Sequence, residues 1–285
     1  MVALRCAAMP PVLTPVDVRA LLAQHGLRPS RALGQHFLAD PNTARRIVRL
    51  ADVDATDHVL EIGPGLGSLT LALAETRARV LALELDRHLI PALRSVVRDA
   101  DRIEVVQGDA LTYDFAAGLS DEPWCCVSNL PYNVATPVVI RLLEEAPQVT
   151  RMLVMVQREV GERLAAPPGT AGCGPASVKV AYFSEARVVG TVPRTVFVPR
   201  PKVDSALVRL DRRAQPPVDV PSPDELFALA RAGFGQRRKM LRRSLRPLLG
   251  AGADSVLERA GIEPTVRAES LELEQWAALA RQVAR

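Results

Sequence analysis

Up to about residue 210 the chain alternates short apolar runs with longer segments of helical spacing. The runs Val59–Ile62, Arg79–Leu83, Ile103–Val106, Trp124–Val127 and Met152–Val156 are short and bounded by turn residues, as strands buried on both faces are. Helical spacing fills the gaps: Thr43–Ala51 behind an Asp40-Pro41 start, Ser68 to about Glu75, the stretch from Asp86 through Val97, a segment with Pro137 in its first turn, and Arg158–Leu164. A further helix spans Val16 to Gly26. After a Pro/Gly-rich loop at Ala165–Gly174, an apolar element follows at Ser177–Phe183, then two late strands at Arg187–Val192 and Ala206–Leu210. Arg212–Pro223 reads as a linker, and from Asp224 to Arg285 the pattern is helical, broken at Gly250, Gly261 and Pro264. Strand–helix alternation predicts an α/β, Rossmann-like, mostly parallel sheet, followed by a small all-α domain. The expected divisions are 1–30 (extension and helix), 31–211 (sheet domain), 212–223 (linker) and 224–285 (helical domain).

Chemistry concentrates where the runs end. The first run passes into Gly63-Pro64-Gly65-Leu66-Gly67 and then a helix, the order of a nucleotide-binding unit. The G-x-G-x-G spacing differs from that of a dinucleotide site and suits a nucleoside ligand without a pyrophosphate. Glu84 closes the second strand about 20 residues on, where an acid holds ribose hydroxyls, and Asp109 stands at the end of the third. The fourth delivers Asn129-Leu130-Pro131-Tyr132. An amide oxygen, two backbone carbonyls in a proline-stiffened turn and a flat ring together suit a planar group bearing an amine, such as adenine. Prolines in Pro193–Lys202 hold a connection rigid and place Phe197 as a candidate second ring.

Composition changes this picture in three ways. No apolar run reaches the length of a membrane span, and Met1–Pro15 reads as a loose extension rather than a secretion signal. The cysteines (Cys6, Cys125, Cys126, Cys173) and four histidines are scattered, so no metal site is expected and a reducing cytoplasm is. The net charge is +4, and Arg231, Arg237, Arg238, Lys239, Arg242, Arg243 and Arg246 crowd one segment without an acid, opposite a stripe of Phe234, Leu241, Leu245 and Leu248. Such a segment points to phosphate binding.

Four segments in this order resemble the ribosomal RNA adenine N6-dimethyltransferases: Leu33-Gly-Gln-His-Phe-Leu38, Glu61-Ile-Gly-Pro-Gly-Leu-Gly67, Asn129-Leu-Pro-Tyr132 and Phe197-Val-Pro-Arg-Pro-Lys-Val-Asp-Ser-Ala206. Phe234–Leu245 is similar to that family's basic C-terminal segment, and the likeness runs from about Arg31 to near the C-terminus. His36 stands where the family commonly has Asn, and Thr170–Ser177 departs from its usual Tyr-Gly-Arg-Leu-Ser pattern.

The resemblance implies a class I methyltransferase fold with a late antiparallel strand and S-adenosylmethionine as donor, its site lined by His36, Leu38, Gly63, Glu84, Asp109 and Asn129. It implies dimethylation of two adjacent adenosines near the 3′ end of small-subunit ribosomal RNA, on a pre-ribosomal particle in the cytoplasm. A monomer without membrane attachment is expected. In the expected mechanism Asn129 and the Leu130 or Pro131 carbonyl accept from the adenine amine while Tyr132 and Phe197 stack on the base. Arg237, Arg238, Lys239, Arg242, Arg243 and Arg246 would dock the RNA. The alternatives are a large-subunit adenine methylase of the macrolide-resistance type and a mainly non-catalytic ribosome assembly factor.

Overall fold

A computed structural model describes residues 11–236 and 239–283. Cys6, Arg237 and Arg238 lie outside the described residues. The strands are β1 (Phe37–Leu38), β2 (His58–Ile62), β3 (Arg79–Glu84), β4 (Ile103–Gln107), β5 (Trp124–Asn129), β6 (Val149–Gln157), β7 (Ser184–Val192), β8 (Phe197–Val198) and β9 (Ser205–Arg212). Seven of them form one sheet in the order β4-β3-β2-β5-β6-β9-β7. The pairs β2–β3, β2–β5, β3–β4 and β5–β6 are parallel, and the antiparallel addition comes late in the chain.

The chain builds outward from β2 through β3 to β4, then crosses back to lay β5 on the other side of β2. This reversal opens a crevice above the carboxyl ends of β2 and β5, where ligands of open α/β sheets bind. The sheet is held by apolar burial: Val59, Leu60, Ala82, Cys126, Val127 and Val154 have no measurable exposure. Burying each valine or leucine among them contributes about 1.5–3 kcal/mol before the entropy of ordering is counted.

Local signals explain the flanking helices. In Pro41–Ala51 the Asp40 carboxylate accepts the Thr43 N–H at 2.6 Å, and Ala44, Ile47, Val48 and Ala51 fall on one buried face. Pro15–Gln24 begins with a reciprocal Thr14–Asp17 capping box. The sequence pattern had both helices, but it had loops at β1 and β8, which pair antiparallel through Phe37↔Val198 and Leu38↔Phe197. Two-residue strands far apart in sequence have no period to read.

Contacts divide the chain into Met1–Gly161 with Val188–Leu210, and Glu162–Arg187 with Asp211–Arg285. Glu162–Arg187 thus groups with the C-terminal helices, whereas 31–211 was expected as one domain. The reason is aromatic packing: the Tyr182 ring stands edge-on to Phe227, 5.4 Å between centroids. In the second unit Leu226, Leu229, Leu241, Leu245, Leu257, Trp276 and Leu279 are buried. The basic segment is not one helix. Pro223–Phe234 and Leu241–Leu249 are separate, and Leu248, expected on the apolar stripe, is 50% exposed. The expected absence of counter-charge also fails at one position, where Arg242 lies 3.8 Å from Asp254. Among the described residues no helix is long and apolar enough to cross a membrane.

Candidate active site

The crevice above β2 and β5 is a cavity lined on one wall by the glycine loop with Glu61, Glu84 and Leu85, and on the other by Asn129–Val134. The segment Leu33–Leu38 closes it. The loop approaches its surroundings closely. Gly63 and Gly65 have φ of +70° and +61°, and a Cβ on them would meet Pro131 Cδ at 3.2 Å and Phe37 Cδ1 at 3.0 Å. Only glycine takes this backbone without strain in this space.

Two carboxylates serve this wall. Glu84 accepts the Gly65 N–H and the Asp86 N–H, each at 2.9 Å, so it braces the loop. Burial still holds its carboxyl above the ordinary value, against those bonds. Glu61 is 1% exposed, and burial pushes its carboxyl up to about 8. Thr70 is close enough to pull it back slightly, yet Glu61 Oε2 and Thr70 Oγ1 are both buried without a hydrogen-bond partner. A buried acid with an empty oxygen beside a cavity is poised for a cationic ligand, since an unpaired polar group in that position costs about 1–3 kcal/mol.

The opposite wall is neutral. Asn129 Nδ2 donates to the His36 carbonyl at 3.3 Å, which fixes the amide and leaves its Oδ1 as the free acceptor. The two candidate carbonyls differ. Pro131 O accepts the Val134 N–H at 3.1 Å, closing the turn, whereas Leu130 O accepts no hydrogen bond from the described residues. Leu130 is itself anchored by its N–H to Met155 O at 3.1 Å. The Tyr132 hydroxyl is 2.8 Å from Ser205 Oγ, so the ring is held at its tip.

The closing segment is tied to both walls. Gln35 Nε2 donates to Asp86 at 2.8 Å, and Asn133 Nδ2 donates to Ala32 O at 3.2 Å. His36 Nδ1 lies 2.7 Å from Pro199 O, and its ring centroid is 5.6 Å from that of Tyr132. Leu38 lines the cavity, and its carbonyl accepts the Ser68 hydroxyl.

Of the sequence candidates, His36, Leu38, Gly63, Glu84, Asn129, Leu130, Pro131 and Tyr132 converge on this cavity. Asp109 is not among its lining residues; its carboxylate accepts the Leu111 N–H at 2.9 Å in a local turn. Phe197 corrects an expectation. Its backbone pairs with Leu38, its side chain is 3% exposed in the hydrophobic core, and it does not line the cavity. The ring that flanks Tyr132 is His36. Lys239, Arg243 and Arg246 are exposed and Arg242 is half-buried. Sequence reasoning missed Glu61, Gln35 and Leu85. Glu61 was readable as a charge inside an otherwise apolar strand, a placement that demands a partner.

A family model described as "Ribosomal RNA adenine dimethylase" matches residues 27–285. The chain belongs to the ribosomal RNA adenine dimethylase family. With the family come adenine dimethyltransferase activity and S-adenosylmethionine as methyl donor. A relative from Thermobifida fusca named "Ribosomal RNA small subunit methyltransferase A" is 48% identical over 94% of this chain and 95% of its own length. One of the same name from Pelotomaculum thermopropionicum is 45% identical over 94% and 96%. The solved 23S rRNA methyltransferase ErmE has a TM-score of 0.66 and 29% identity, covering 87% of this chain and 100% of its own. A dimethyladenosine transferase from Plasmodium falciparum has a TM-score of 0.70 at 24% identity, covering 86% and 96%, and supports the fold alone.

The donor's chemistry fits the residues present. It carries a sulfonium and an ammonium, and the cavity offers Glu61 with an unpartnered oxygen beside a glycine cradle that a Cβ would fill.

Proposed function

We propose that this chain methylates N6 of two adjacent adenosines near the 3′ end of small-subunit ribosomal RNA, forming N6,N6-dimethyladenosines on a pre-ribosomal particle in the cytoplasm. It acts as a monomer. The methyltransferase domain is built from 31–161 with 188–210, and the C-terminal helices of the second unit bind RNA through Lys239, Arg242, Arg243 and Arg246 together with Arg237 and Arg238.

The observation that carries the reading is the pair of uncommitted acceptors, Asn129 Oδ1 and Leu130 O, at the mouth of a cavity walled by the glycine loop. An adenine amine is a poor nucleophile because its lone pair is delocalised into the ring. Two acceptors on its N–H groups favour a pyramidal nitrogen and free the lone pair. Tyr132, held by Ser205, stacks on the base, which costs a few kcal/mol to extrude from its neighbours. Pro131 shapes the turn rather than accepting from the amine.

His36, Leu38, Gly63, Glu84 and Asn129 hold S-adenosylmethionine, and Glu61 adds a counter-charge; Asp109 acts from outside the described lining. When bound, that donor supplies an electrophilic methyl group and its own leaving group. The protein needs to align, exclude water and accept hydrogen bonds, and no strongly basic side chain is required.

The large-subunit reading is disfavoured by the 45–48% identity to small-subunit enzymes against 29% to the 23S enzyme. Incubating the chain with unmethylated small and large subunits and mapping the modified adenosines tests the proposal. Dimethyladenosines in the small subunit alone are expected; methylation confined to the large subunit rejects it.

A further inference from the structure

Beside the acceptor wall, but outside the cavity, the strap from Pro193 to Asp204 and the end of β6 enclose a cleft of about 430 Å³ lined by Gln157, Arg194, Lys202 and Asp204, among others. Arg194 and Lys202 are exposed and, among the described residues, face no acid within ion-pair distance. Asp204, the acid nearest in sequence, is committed: its carboxylate accepts the Arg194 N–H at 2.9 Å. Arg194 Nη1 donates to Lys202 O at 3.0 Å, which holds the guanidinium across the strap with its other N–H groups free. Arg158 and Glu159 also border the cleft but have partners of their own, and no part is assigned to them. Pro193, Pro199 and Pro201 stiffen the strap, so the backbone that carries the two cations is set before any ligand arrives.

Its position sets its use. Asp204 precedes Ser205, whose Oγ is 2.8 Å from the Tyr132 hydroxyl. Gln157 is two residues past Met155, which pairs with Asn129, so the cleft edge is about 8 Å from the amine acceptors along and across the sheet. That is within reach of the sugar-phosphate of a nucleotide whose base has entered the cavity.

We propose that Arg194 and Lys202 form a subsite for an RNA backbone phosphate flanking the target adenosine, a second anchor separate from the basic helical segment. This rests on the proposed RNA substrate. A phosphate fixed there constrains the extruded nucleotide's backbone, leaving the base only the rotation into the Asn129 acceptors. Phosphate contacts of this kind position a nucleic acid without reading its sequence.

The test compares the full-length chain with the double variant Arg194→Gln and Lys202→Gln. Methylation of unmethylated small subunits is followed across salt concentrations, with donor affinity measured in parallel. Donor affinity is expected to be unchanged. The dependence of kcat/KM on salt is expected to flatten, so the gap between wild type and variant narrows by about 2.6-fold between about 50 and 200 mM salt, one single-stranded phosphate contact being lost. The charge-preserving Lys202→Arg chain is expected to keep the wild-type slope. An unchanged slope in the double variant, or a Lys202→Arg chain as defective as the neutral one, overturns the subsite. Absence of transfer by the wild-type chain overturns the RNA reading beneath it.

Discussion

The two walls of the cavity are built from opposite chemistry. The donor wall is acidic and buried: Glu84 locked by two backbone N–H groups, Glu61 enclosed with an oxygen unpartnered. The acceptor wall offers an amide oxygen, a backbone carbonyl and a tyrosine hydroxyl already bonded to Ser205. The difference follows from what each wall meets. A cationic donor repays the burial of a carboxylate, whereas a neutral amine needs acceptors that never change charge. Sensitivity to pH should therefore belong to the donor wall, and sensitivity to geometry to the acceptor wall.

The largest effect expected concerns a residue that belongs to neither wall. Phe197→Ala should destabilise the chain by about 3–5 kcal/mol, as removal of a buried aromatic does. Thermal denaturation checks this; a variant of native stability whose KM for RNA alone rises would return Phe197 to the acceptor wall.

Next comes the donor wall. Glu61 is protonated up to about pH 8 in the folded chain and ionises near 4.5 when unfolded. The raised value means that the donor-free chain loses stability as pH rises from about 4.5 to 8, with no further loss above. Donor binding has the opposite sign, because a cation favours the ionised carboxyl. Affinity should climb with pH toward about 8, by up to tenfold per unit, with release of a proton. Glu61→Gln should flatten both trends in calorimetry at several pH values. Trends that survive the substitution would place the titration elsewhere.

The smallest effect sharpens the acceptor wall. Tyr132→Phe and Ser205→Ala should each cost about 1 kcal/mol in kcat/KM, and the double variant no more than either alone, because one hydrogen bond is lost in all three. Additive losses would mean that Ser205 does not act through the ring.

How far the sequence reached differs between these walls for physical reasons. Strand ends are fixed by apolar runs and glycines, so Gly63, Glu84 and Asn129 could be placed on one sheet edge without coordinates. The division between Leu130 and Pro131 could not, since it turns on which carbonyl closes a turn with Val134. Phe197 was misjudged because prolines on either side suggested presentation, while its pairing with Leu38, more than 150 residues earlier in the chain, turns it inward. Asp109 was placed by its strand end, and one of its carboxylate oxygens accepts the Leu111 N–H. Arg237 and Arg238 lie outside the described residues, and the basic segment splits between two helices.

The most direct test of the amine clamp is Asn129→Ala assayed on unmethylated small subunits with saturating labelled donor and with subunit binding followed alongside. Binding should be retained while methyl transfer falls by about 10²–10³, the loss seen when one preorganised hydrogen-bonding group is removed from a reacting centre. Transfer within a few-fold of the wild-type rate would contradict the account.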